Sequence, residues 1–144
     1  MILYLFCIII PVLVFLLEAK KINVSEIIRI IMAQCHLWLG NPKKARKILT
    51  DLVSKYKESY IGHKMLARIY EEEGGMRKAI DEYVQVLDIR KNDYNSYYKI
   101  SVLLNELNKK EEAIDMLRTL LRSKPQMLEA SKLLRRNILR KKGI

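Results

Sequence analysis

The chain opens on an unbroken apolar run. In "MILYLFCIIIPVLVFLLEAKK" the first seventeen residues, Met1 to Leu17, carry no charged side chain, and Glu18, Lys20 and Lys21 close the run. As a helix rising ~1.5 Å per residue it reaches about 25 Å, and Glu18 and Ala19 extend it toward a hydrocarbon core of ~30 Å. Lys20 and Lys21 can snorkel to the headgroups. Pro11 would kink a soluble helix but is tolerated in a membrane one. A cleaved leader wants a basic stretch ahead of the apolar run and a small-residue cleavage site, and this segment offers neither. A buried core helix would show a polar stripe, and there is none. The pattern therefore predicts an uncleaved transmembrane anchor over residues 1–19 and a juxtamembrane linker over 20–25. Basic residues flank the run only on its C-terminal side, so the rest of the chain is expected in the cytoplasm, single-pass.

Beyond the linker the apolar positions recur at helical spacing. The pattern predicts helices near 24–39, 42–56, 60–73, 77–90, 94–107 and 109–123. Stop and start signals fall between them. Asn41-Pro42 reads as an N-cap with proline in the first helical position. Asn23 with Glu26, and Asn108 with Glu111, have the spacing of a capping box. Ser59 and Asp93 are candidate caps for the third and fifth helices.

A longer repeat organises these helices. Ala45, Ala79 and Ala113 lie thirty-four residues apart, in "KKARKILTDL", "RKAIDEYVQVL" and "EEAIDMLRTLL". Each word has charged residues, the alanine, and apolar residues following at helical spacing. A fixed period in this range signals stacked supersecondary units. The chain resembles the tetratricopeptide (TPR) family over residues 26–144, with repeats 26–59, 60–93 and 94–127 and a capping helix 128–142. The second repeat supplies Leu66, Ala67, Tyr70, Ala79 and Tyr83. The third supplies Tyr97, Ile100, Ser101, Ala113, Leu117 and Pro125. The first supplies Met32, Ala33, Gly40 and Ala45, with Arg29 where a large apolar residue usually sits. Gly40 and Gly74 occupy one place in the turn within each repeat, and Asn108 takes it in the third. The resemblance implies an all-α, antiparallel helix-pair solenoid of about three repeats, capped at its end and preceded by one transmembrane helix. It also implies that Ala33, Ala45, Ala67, Ala79, Ser101 and Ala113 are small because a second helix lies against each.

The same resemblance implies a partner-binding groove along the first helix of each repeat. Its positions are Ile27, Ile30, Gln34, Leu37 and Trp38, then Ile61, Lys64, Arg68, Glu71 and Glu72, then Asn95, Tyr98, Val102, Asn105 and Glu106. Lys132, Arg136 and Arg140 of the last helix extend it. Such a groove is apolar at the membrane end and basic farther on, suiting a protein or peptide with an apolar anchor and acidic residues. Lys64, Arg68 and Lys99 loosely resemble a carboxylate clamp whose asparagine positions are not matched. The first helix, "VSEIIRIIMAQCHLWLG", is apolar around most of its circumference, so a second face meets either membrane or anchor, or else a partner. An anchor followed directly by TPRs also resembles a bacterial envelope-assembly regulator. That type carries a metal module with paired CxxC motifs, absent here, so only the layout is shared.

Composition narrows the chemistry. Of 144 residues, 27 are basic and 16 acidic, a formal charge of +11. Six basic residues crowd "KLLRRNILRKK" (Lys132, Arg135, Arg136, Arg140, Lys141, Lys142), with no acidic ones among them. They give an alternative role, binding anionic lipid or nucleic acid through the last helix, although no aromatic residue interleaves them. That helix, with Leu134 and Ile138 inward, otherwise closes the array with a polar outer face; longer arrays would continue past it. Cys7 and Cys35 form no CxxC and are expected as buried thiols. His36 and His63 pair with no evident nucleophile or acid, and His36 falls where the family places a packed aromatic. Glu71, Glu72 and Glu73 fan out around a helix rather than converge on a metal. No phosphate-binding glycine loop and no HExxH occurs. The expectation is a non-enzymatic, cofactor-free scaffold.

Overall fold

The computed structural model describes residues 23–141, and the anchor expected over residues 1–19 lies outside them, as do Cys7 and Lys142. Among the described residues there are seven helices and no strand: α1 Val24–Trp38, α2 Pro42–Lys55, α3 Tyr60–Glu72, α4 Met76–Ile89, α5 Tyr94–Glu106, α6 Lys110–Ser123 and α7 Leu128–Lys141. Every end of the first six lies within a residue of the sequence expectation. None of the seven is long and apolar enough to cross a membrane. The chain falls into two compact units, one to Ile48 and one from Leu49.

The helices end where the backbone can turn. Gly40, Gly74 and Asn108 adopt positive φ of 70°, 75° and 60°. After each, the next N–H reaches back to a carbonyl five residues earlier: Asn41 to His36, Gly75 to Tyr70 and Lys109 to Leu104. This six-to-one bond is the left-handed helix stop that glycine makes at least cost and asparagine tolerates. The capping box expected at Asn108 therefore does not form. Asn108 terminates α5, and Lys109 is the N-cap of α6. Asn23 is the N-cap of α1 but accepts no side-chain bond there, so the second box is absent too. Ser59 and Asp93 do cap: Ser59 Oγ accepts from Gly62 N at 3.3 Å, and Asp93 Oδ1 from Ser96 N at 3.1 Å.

In the unit from Leu49 onward, α3 packs on α4, α4 on α5, α5 on α6 and α6 on α7. Its core includes two clusters of buried residues. The first joins Ala67, Ala79, Tyr83, Leu87, Ile100, Leu103, Leu104 and Ala113. The second joins Leu117, Leu120 and Ala130, with Leu134 of α7 against it. Tyr97 packs against both clusters and links one hairpin to the next. Ala67, Ala79, Ser101 and Ala113 are fully buried, because at these points a facing helix leaves no room for a larger side chain. In the unit ending at Ile48, Ala33 and Ala45 are also fully buried. The six alanine and serine positions are thus alike in having no exposed surface.

A second column of small residues escaped the sequence reading. Gly62, Ser96 and Ala130 stand thirty-four residues apart and are all buried. A Cβ on Gly62 would come within 2.5 Å of Leu52 Cδ2 and 3.1 Å of Val53 Cγ1, both on the preceding helix. Gly62 thus lies against α2, and Ala130 packs with Leu117 and Leu120 of α6. The spacing of the column was visible, but glycine, serine and alanine look unrelated until their common burial is known.

Candidate functional site

The expected groove residues of the larger unit form two rows related by the repeat. Lys64, Tyr98 and Lys132 occupy one equivalent position on α3, α5 and α7; Arg68, Val102 and Arg136 occupy the next, one turn on. Tyr98 and Val102 are half-buried, with Tyr98 packed against the Leu117–Leu120–Ala130 cluster. Arg68, Lys132 and Arg136 are exposed, and Asn105, half-buried, lies one turn beyond Val102. Each row thus alternates cation, apolar side chain, cation.

A polar lattice ties the α3 and α5 side chains together beneath these rows. Lys64 Nζ donates to Asp93 Oδ2 at 2.6 Å and to Tyr60 Oη at 2.8 Å, and Tyr60 Oη in turn donates to Asp93. The Arg90 guanidinium stacks on the Tyr60 ring, 3.9 Å from its centre. Burial pushes the Asp93 carboxyl up, but the bonds from Lys64, Tyr60 and the Ser96 N–H outweigh it and hold it low. Burial likewise disfavours the Lys64 ammonium, and Asp93 and Tyr60 reverse that. Farther along, Glu71 accepts from Tyr83 Oη at 3.0 Å and from Lys99 Nζ at 2.7 Å. Burial, then the Glu71 charge, drive the Tyr83 phenol well above its ordinary range. Lys64 and Lys99 are therefore committed inside the protein. The basic character expected at Lys64 is largely neutralised by Asp93, and Arg68, Lys132 and Arg136 present the exposed positive charge.

The remaining expected positions divide between the units. In the smaller unit Ile30, Gln34 and Leu37 are half-buried on α1, and Trp38 is 80 % exposed. Cys35, expected as a buried thiol, is exposed, on the α1 face that also carries exposed Ile28, Ile31 and Trp38. Met32 is 48 % exposed where its counterparts Leu66 and Ile100 are buried. Half-buried His36 keeps its Nδ1 buried without a partner among the described residues.

His63 is the residue the sequence reading misjudged. It is buried and its Nδ1 meets Glu82 Oε2 at 2.6 Å, while Nε2 meets the Lys57 carbonyl at 3.0 Å. Both partners are acceptors, so only the imidazolium satisfies both. The Glu82 hydrogen bond, opposed by burial, raises the His63 pKa. The nineteen residues separating His63 from Glu82 gave no sign of the pair; it exists because α3 folds back on α4. Glu72 and Glu73 are exposed, and no group of three His, Cys, Asp or Glu gathers among the described residues.

Comparison with known proteins bears on the architecture. The tetratricopeptide repeat family matches residues 31–59 and again residues 94–127. No curated protein sequence matches the chain. Among solved structures, MamA is similar at 19% identity and TM-score 0.72, with 89% of this chain and 73% of MamA aligned. The chain spans 63% of the length of two further MamA structures from strain RS-1, one of them given as Desulfovibrio magneticus. The Yersinia enterocolitica type III secretion chaperone SycD, in complex with a peptide of the translocator YopD, aligns at 15% identity and TM-score 0.73, over 83% of this chain and 96% of SycD. The first TPR of Spaghetti (RPAP3), bound to an HSP90 peptide, aligns at 16% identity and TM-score 0.67, over 78% and 89%. At such identities the likeness is one of fold. On these grounds the chain carries tetratricopeptide repeats at residues 31–59 and 94–127, and its fold is that of a tetratricopeptide-repeat array.

Proposed function

We propose that the chain is a membrane-anchored scaffold that recruits a protein segment to the cytoplasmic face through the α3–α5–α7 rows. The carrying observation is that three exposed cations, Arg68, Lys132 and Arg136, flank two half-buried side chains, Tyr98 and Val102, along these rows, while Lys64 is held by Asp93. An apolar side chain of a partner would settle on Tyr98 and Val102, and acidic residues to either side would meet Arg68, Lys132 and Arg136. Solved TPR structures holding peptides, those of SycD and RPAP3, support a peptide as ligand. The uncharged run from Met1 to Leu17 with its basic flank supports the anchor and the orientation.

The reading through the basic last helix alone is weaker. Lys141, one of its six cations, is engaged by Glu111 at 2.6 Å. Site-specific photocrosslinking in native membranes tests the proposal. A crosslinker at Val102 should yield a discrete protein adduct that Arg68→Glu with Arg136→Glu abolishes. One at exposed Gln85 on α4 should not. Equal adducts at both positions, or persistence in the charge-reversed protein, would overturn it.

A further inference from the structure

The outward face of α1 is built unlike the matching face of every later A helix. On the repeat, Ile28 corresponds to Gly62, Ser96 and Ala130, all buried, Gly62 against Leu52 and Ala130 with Leu117 and Leu120 of the preceding helix. A single Cβ at Gly62 already collides with Leu52, so a branched residue does not fit that role. Ile28 is 51 % exposed. It is not shaped to receive another repeat in the way its counterparts are.

Two further positions sharpen the contrast. Val24 corresponds to Glu58, Asn92 and Gln126, and Trp38 to Glu72, Glu106 and Arg140, all polar and exposed. These sites stay in solvent even where a helix stacks in front, so a stacking helix does not account for apolar residues there. Val24, Ile28, Ile31 and Trp38, with Met32 and Leu39 along one edge, cover an arc of about 120° at ~100° per residue. All six are exposed. The arc is wider than the narrow seam that joins two helices of a coiled coil. Charge points the same way: residues 1–48 hold seven basic side chains against two acidic ones, including Lys20 and Lys21 just ahead of α1 and exposed Lys43 and Lys44 just after it.

We infer that α1 lies along the surface of an anionic bilayer, its Val24–Trp38 stripe in the boundary between headgroups and acyl chains. A broad apolar arc with lysines at both ends suits that boundary. The uncharged segment ends at Leu17, so the helix begins within a few residues of the proposed anchor. The inference rests on that anchor reading and extends it: the membrane becomes a binding surface for the array as well as its tether.

Trp38 is the sole tryptophan of the chain, so its emission reports this face directly. The full chain would be reconstituted into vesicles of phosphatidylcholine and phosphatidylglycerol, floated, and titrated with lipid brominated at shallow acyl positions. Co-flotation with Trp38 quenched on the order of twofold is expected. Val24→Glu with Ile31→Glu should remove the quenching while flotation persists, and both side chains are exposed enough for the fold to survive. Flotation without quenching overturns the α1 inference and leaves the anchor standing. Failure to float overturns the anchor and this inference together. A blue shift that brominated lipid does not quench, and that fades as protein is diluted among vesicles, overturns it in favour of a second copy. Quenching retained in the double variant also overturns it.

Discussion

Tyr83 Oη donates to Glu71 Oε2 across the turn of the α3–α4 hairpin, at 3.0 Å, with the tyrosine only 1 % exposed. The ring fills the core beside Ala79, and its hydroxyl reaches out to the carboxylate that also receives Lys99. Packing within one repeat is thereby joined to a polar contact with the next. Tyr83→Phe keeps the ring and removes the donor, so a loss of about 1 kcal/mol is expected in denaturant unfolding. Tyr83→Ala also opens a cavity and should cost ~3–5 kcal/mol.

The helix stop at Asn108 carries a conformational penalty that its counterparts Gly40 and Gly74 do not. Asn108→Gly should raise stability by about 0.5–1 kcal/mol, since glycine takes positive φ freely. The reciprocal change, Gly74→Ala, should cost ~1 kcal/mol. No atom lies within 4 Å of the added Cβ, so the whole effect is backbone strain. Equal thermal midpoints for Asn108→Gly and the parent would contradict this account.

Ala79 has no exposed surface and sits in the core cluster with Ala67 and Ala113. Arginine there meets the facing helix and brings a charge with no acceptor. A loss on the order of several kcal/mol is expected, enough to unfold a domain of this size. Circular dichroism melting would register it as a missing or strongly lowered transition.

His63 gives stability a pH dependence of definite sign. Its pKa is raised in the folded chain, mainly by the bond to Glu82, above the ordinary 6.5. The imidazolium is thus favoured by folding. The contribution is complete below the unfolded value and is lost as pH rises through the raised folded one. Unfolding free energy should therefore fall as pH rises from the ordinary 6.5 through the raised folded value, and Glu82→Gln should flatten that slope. A slope unchanged in the variant would assign the effect to another group.

Much of this array was legible beforehand because its signals are local. Helix periodicity, proline at 42, caps at Ser59 and Asp93, and a thirty-four-residue phase each depend on a few neighbouring residues. The boundaries of α1 to α6 followed within a residue. The groove was legible as positions but not as chemistry. Lys64 and Lys99 read as available cations, and only folding showed that Asp93 and Glu71 hold them.

The errors share a cause. Asn108 offers the same side chain to a cap or to a left-handed stop, and the choice is made by where α5 must end for α6 to pack back. His63 and Glu82 become partners through the α3–α4 hairpin, and Gly62 is small because Leu52 approaches it. By itself the sequence determined which residues are helical, where the chain turns and how often the unit repeats, since backbone preference and side-chain period act over a few residues. Tertiary structure decided which charges are neutralised, which polar groups find acceptors and which apolar faces stay open. Those outcomes depend on distances between residues far apart in the chain, and no local pattern encodes a distance of that kind.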